Sequence, residues 1–82
     1  MKFVTWNVNG FRAMLKNGFM EWLEAEDPDV VSLQEIRAEW EQVDLGVRRE
    51  LESAFDVAWF PATRKKGYAG SATLARKELG FT

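Results

Sequence analysis

Apolar positions along this chain change period several times, and each change marks a new element. Phe3-Val4-Thr5-Trp6-Asn7-Val8 is rich in β-branched and aromatic residues, which predicts a buried strand, and Asn9-Gly10 ends it. Phe11, Met14, Leu15, Phe19, Trp22 and Leu23 then recur at helical spacing. Asn17-Gly18 interrupts that spacing, so it predicts a short helical turn and then a helix capped near Asn17 and closed by Pro28. Asp29-Val30-Val31-Ser32-Leu33-Gln34 predicts a second buried strand. Strand, helix and strand within about 30 residues predict a right-handed parallel crossover.

Beyond Arg37 the chain turns polar, with Trp40 standing out. Val47, Leu51 and Ala54 predict the inner face of a helix over 45–54, with Asp44 as its cap. Phe55-Asp56-Val57-Ala58-Trp59-Phe60 alternates as a strand does and stops at Pro61. A basic, glycine-punctuated loop follows over 63–70, and Ser71-Ala72-Thr73-Leu74-Ala75 predicts a strand pairing back on its predecessor as a hairpin. Residues 76–82 read as the opening of a further loop or strand. The expected class is α/β (α+β), in the order strand, helix, strand, helix, hairpin. No repeat, low-complexity segment or internal linker divides residues 1–82.

A hydrophobic content of 46% with 29% charge belongs to a globular chain. Four Trp and six Phe are many for 82 residues to cover, so part of the apolar sheet surface is expected to lack a partner layer. The absence of cysteine excludes a disulfide or thiolate–zinc framework and is compatible with a reducing compartment. Polar residues interrupt the apolar start at once, so no signal-peptide core forms, and no run approaches the roughly 20 residues of a membrane span. A cytoplasmic protein with no membrane partner is the expectation. The net charge of −2 gives no nucleic-acid signature by itself. Arg64, Lys65 and Lys66 form one basic cluster and Arg76 with Lys77 another; taken alone, such a cluster reads as readily as a solvated face.

The chemistry collects where the first two strands end. Asn7 and Asn9 close the first; Gln34, Glu35 and Arg37 close the second. Taken singly, Glu35 reads as a surface carboxylate capping a turn, and Asn9-Gly10 as a turn satisfying its own backbone. Taken together, adjacent parallel strands would bring an amide and a carboxylate to one sheet edge, where ligands of α/β proteins bind. That pair is a start for Mg²⁺, which prefers oxygen ligands, keeps several waters and needs only one or two carboxylates. Arg12 and Arg37, just past each strand, are placed to meet phosphates.

Trp6-Asn7-Val8-Asn9-Gly10-Phe11-Arg12-Ala13, then Pro28-Asp29-Val30-Val31-Ser32-Leu33-Gln34-Glu35-Ile36-Arg37, then Lys66-Gly67-Tyr68-Ala69-Gly70-Ser71 together resemble the exonuclease III family of apurinic/apyrimidinic endonucleases, within the endonuclease/exonuclease/phosphatase superfamily. The resemblance runs in register along essentially the whole chain. Leu-Gln-Glu is shared across the superfamily, while the Gly-Tyr loop is closer to its DNA-repair branch. The resemblance implies that Glu35 is a metal-binding glutamate with Asn7 beside the metal, and that Asn9, where some members have aspartate, has a weaker role. It also implies DNA-backbone contacts for Arg12, Gly67 and Tyr68. Arg37 stands where relatives commonly have lysine.

The implied fold is a two-sheet sandwich flanked by helices, of which residues 1–82 correspond to the N-terminal part of one domain. The implied parent activity is Mg²⁺-dependent cleavage (Mn²⁺ as a substitute) of double-stranded DNA at abasic sites or 3′ ends. The family's later catalytic tyrosine, Asp-x-Asn segment and closing Asp-His pair match nothing in these 82 residues, so the chain alone is expected to be inactive. Two alternatives stand: another superfamily branch acting on phospholipid or inositol phosphate head groups, and a non-catalytic truncated product. The Gly-Tyr-Ala-Gly loop, with its basic neighbours, speaks against the lipid branch.

Overall fold

The computed structural model of the chain describes residues 1–61 and 70–79. Strand β1 (Phe3–Asn7) leads into two short helices, α1 (Phe11–Lys16) and α2 (Phe19–Glu26), and then strand β2 (Val30–Gln34). A 3₁₀ turn over Trp40–Gln42 precedes helix α3 (Leu45–Ala54), strand β3 (Phe55–Phe60) and strand β4 (Ser71–Arg76), and a second 3₁₀ turn covers Lys77–Leu79. The four strands form one mixed sheet in the order β1-β2-β4-β3. Strands β1 and β2 are parallel, while β4 lies antiparallel to both β2 and β3. The expected α/β class, crossover and hairpin are all present, and β4 enters the sheet interior between β2 and β3.

Cross-strand register sorts the side chains by face, because directly opposed residues share one. Val4, Val31, Leu74 and Val57 form one row, and Trp6, Leu33, Ala72 and Trp59 the next. These rows belong to the core, where Val31, Leu33, Leu74 and Ala72 pack with Phe11, Phe19, Leu23, Ile36, Val43 and Leu51. Trp6 stacks on Phe19 with ring centroids 5.8 Å apart, and Phe11 meets Phe19 edge-on at 4.9 Å. Most of the aromatic surface that a small chain must cover is thus gathered under the helices.

The other face carries Phe3–Val30–Ala75–Asp56, Thr5–Ser32–Thr73–Ala58 and Asn7–Gln34–Ser71–Phe60 as its rows. Phe3 and Phe60 are 63% and 62% exposed. Among the described residues this face has no covering layer, and it is less apolar than the composition led us to expect. Val4, Val31 and Val57 point to the helices, and the middle of the open face is built of hydroxyls and small side chains.

Helix α3 begins as the sequence indicates: the Asp44 carboxylate accepts from the Val47 N–H at 3.3 Å. The start of α2 differs. Asn17 is the C-cap of α1, its N–H donating to the Ala13 and Met14 carbonyls, and Gly18 with φ 100° precedes α2 without any side-chain cap. The tight reversal passes through φ 100°, beyond the usual left-handed range of a residue with a Cβ, so glycine fits it and the cap lies one position after Asn17.

Candidate metal and phosphate site

The loops leaving β1 and β2 continue to pair after the sheet ends. Val8 N–H donates to the Gln34 carbonyl at 3.0 Å, Gly10 N–H to Glu35 at 2.7 Å and Phe11 N–H to Ile36 at 2.8 Å. On the other side, Glu35 N–H donates to the Gly70 carbonyl at 3.0 Å. Within both loops, buried apolar residues separate the polar ones: Val8 and Phe11 flank Asn9 and Gly10, and Ile36 separates Glu35 from Arg37. Each polar side chain therefore leaves a backbone locked by a neighbour in the core.

Three residues of these loops, Asn9, Glu35 and Arg37, have φ of 47°, 56° and 54°. Positive φ is uncommon away from glycine and costs on the order of 1–3 kcal/mol for each residue, and such strain concentrates at functional sites. Asparagine tolerates it better than glutamate or arginine.

The geometry brings Asn7, Glu35 and Arg37 together. The Asn7 amide Nδ2 donates to Glu35 Oε2, and Arg37 Nη2 donates to Glu35 Oε1 at 2.9 Å in an ion pair. Asn7 Oδ1 in turn accepts from the Asn9 N–H at 3.0 Å. Reversing the Asn7 amide would set oxygen against carboxylate and NH₂ against N–H, so this network fixes its orientation. The Asn7 amide thus uses its NH₂ to orient Glu35, while its oxygen accepts one backbone bond and keeps a second lone pair. The hydrogen bond from Arg37, and after it the one from Asn7, holds the Glu35 carboxyl below the usual glutamate range.

Arg12 and Arg37 line one open groove with Gly10, Ala13 and Lys16, beside the carboxylate. Arg12 makes no ion pair with a described residue. Asn9 is exposed at the rim. Gly67 and Tyr68, with Arg64, Lys65 and Lys66, lie outside the described residues. The direct pairing of Arg37 with Glu35 was not legible from sequence; only their spacing of two residues, acid then base, hinted at it.

Among the described residues, no three His, Cys, Asp or Glu side chains gather as a metal cluster. One carboxylate with an exposed neighbouring amide suits a hard cation that keeps most of its waters. The Arg37 guanidinium pairs with the Glu35 carboxylate on the side where a cation would approach it.

Comparison with known proteins places the chain in a family. Residues 4–82 match the endonuclease/exonuclease/phosphatase family. The chain belongs to that family. It is 40% identical over 79 residues to an exodeoxyribonuclease of Bacillus subtilis, spanning 95% of this chain and 29% of that protein. It is 33% identical over 78 residues to the DNA repair nuclease APEX1 of Danio rerio, spanning 95% of this chain and 25% of that one. Among solved structures, the AP endonuclease LMAP of Leishmania major superposes with a TM-score of 0.72 at 33% identity, over 93% of this chain and 24% of that one. The 3′ phosphatase NExo of Neisseria, bound to a product DNA hairpin, superposes with a TM-score of 0.64 at 28% identity, over 93% and 27%. The chain thus spans between a quarter and a third of the length of the curated relatives named here. Among the described residues no helix is long and apolar enough to cross a membrane.

Proposed function

We propose that this member of the endonuclease/exonuclease/phosphatase family contributes the Glu35 metal position and an adjoining phosphate groove to a DNA-repair phosphodiesterase of the exonuclease III kind. The substrate class is double-stranded DNA with abasic sites or 3′ ends, and the cofactor is Mg²⁺, with Mn²⁺ as a substitute. The observation that carries this reading is the Asn7–Glu35–Arg37 cluster at the ends of two parallel strands, beside a groove lined by Arg12 and Lys16. The nuclease and AP-endonuclease names of its relatives and structural neighbours support it.

Glu35 would hold the cation and Asn7 would keep the carboxylate turned toward it. When bound, the cation neutralises charge on the phosphoryl oxygens and the leaving alkoxide. Arg12 meets a backbone phosphate and sets the register of the duplex. Gly67 and Tyr68 contribute further backbone contacts in this reading. A positioned attacking water and donors to the developing charge require further groups, which no motif of these 82 residues matches. The chain alone should therefore leave abasic DNA uncut.

The decisive experiment is a chimera in which residues 1–82 replace the matching segment of the Bacillus subtilis relative. The chimera should cut a labelled abasic duplex only with Mg²⁺ or Mn²⁺. Glu35→Ala should slow it by about 100-fold or more, several kcal/mol of barrier. Asn7→Ala should slow it by about 10- to 100-fold through the lost orientation of the carboxylate. A Glu35→Ala chimera at full speed would overturn the metal assignment.

A further inference from the structure

We propose that Arg37 is a displaceable counter-ion: its guanidinium holds the Glu35 carboxylate until a divalent cation takes it, and is then released to a phosphate of the DNA. This deepens the proposed function and rests on the reading of Glu35 as a cation ligand.

Four observations lead there. The guanidinium contacts Oε1 while Asn7 contacts Oε2, so a cation approaching Oε1 meets the positive charge of Arg37 and competes with it for the carboxylate. Asn7 is the less displaceable of the two, because its other end is bound to the Asn9 backbone. Arg37 is exposed, and an exposed ion pair is held weakly enough to exchange. Finally, Arg37 also lines the groove shared with Arg12 and Lys16, so its freed guanidinium is already beside the other cations that a phosphate would meet.

Exchange of this kind ties two ligands together. A divalent cation frees Arg37 for DNA, and DNA, by engaging Arg37, clears the carboxylate for the cation. The coupling must be reciprocal. Arg37 acts through Glu35 and is a positioning residue, distinct from any group that touches the reacting atoms.

The test measures Mn²⁺ binding to the 82-residue chain by electron paramagnetic resonance of the free ion, with and without a short DNA duplex. Four proteins are compared: wild type, Arg37→Gln, Glu35→Gln and Arg12→Gln, which removes an equal charge from the same groove without touching Glu35. Without DNA, Arg37→Gln should tighten Mn²⁺ binding by about two- to five-fold, the range of an exposed ion pair. Arg12→Gln should give less than half that change. Duplex DNA should tighten Mn²⁺ binding more for wild type than for Arg37→Gln. Should Arg37→Gln fail to fold, the Arg37 Nε–H resonance of wild type, followed by NMR through a Mg²⁺ titration, decides instead: movement on binding supports exchange, and a fixed resonance during binding overturns it. Equal effects of the two arginine variants, or no effect of Arg37→Gln, would also overturn it. Unchanged Mn²⁺ binding by Glu35→Gln would instead overturn the metal reading beneath it.

Discussion

At the scale of single residues, the site is governed by what surrounds one carboxylate. Because Arg37 and Asn7 both bond the ionised form, Glu35 titrates lower in the folded chain than in the unfolded one. Its contribution to stability is therefore complete above the ordinary glutamate range and is lost as pH falls through the lowered folded value. Carbon-detected NMR titration should place Glu35 below the ordinary glutamate range, and Arg37→Gln should move it back toward that range. Asn9 offers a second measurement. Its positive φ tolerates aspartate, so Asn9→Asp should fold normally and, by adding a second carboxylate, tighten Mn²⁺ binding by about tenfold. Asn9→Val places a β-branched side chain in the same conformation and should cost roughly 1–3 kcal/mol in denaturant melts. The sequence shows that Asn7 and Glu35 close neighbouring strands. It does not show the direction of the Asn7 amide, which depends on the Asn9 N–H turning back beneath it.

At the scale of elements, local chemistry was legible and partner choice was not. Asp44, followed by Val47, Leu51 and Ala54 at helical spacing, defines α3 from end to end. The carboxylate cap should be worth about 1 kcal/mol, so Asp44→Ala should lower the denaturation midpoint while Asp44→Asn leaves it nearly unchanged. The strand limits were equally readable, from Pro61 after β3 and Asn9-Gly10 after β1. Alternation within a strand, however, says nothing about which strand lies beside it. The insertion of β4 depends on long-range pairing of Ser71–Ala75 with Val30–Gln34. The helix start at Gly18 was missed because Asn17 has the composition of a cap, yet the backbone there has to reverse through a glycine. Leu33, fully buried beneath the helices in a strand paired on both edges, should be unforgiving: Leu33→Ala should cost about 2–5 kcal/mol.

At the scale of the whole molecule, the sheet is a one-sided layer. Helices cover the rows containing Val31 and Leu33, and Phe3 and Phe60 stand at opposite corners of the uncovered face. A hydrophobic dye should bind the 82-residue chain, and Phe3→Ser with Phe60→Ser should weaken that binding without loss of helical circular dichroism. The position of β4 also bears on the order of assembly. As the chain leaves the ribosome, β1 and β2 can pair as soon as their crossover is made, but the far edge of β2 then waits, unpaired, through the synthesis of α3 and β3. Strand β3 has no hydrogen-bonded neighbour in the sheet until β4 arrives to join the two. Strand β4 is thus the keystone of these four, and a nascent chain halted before Ser71 exposes a template for wrong pairing with other chains.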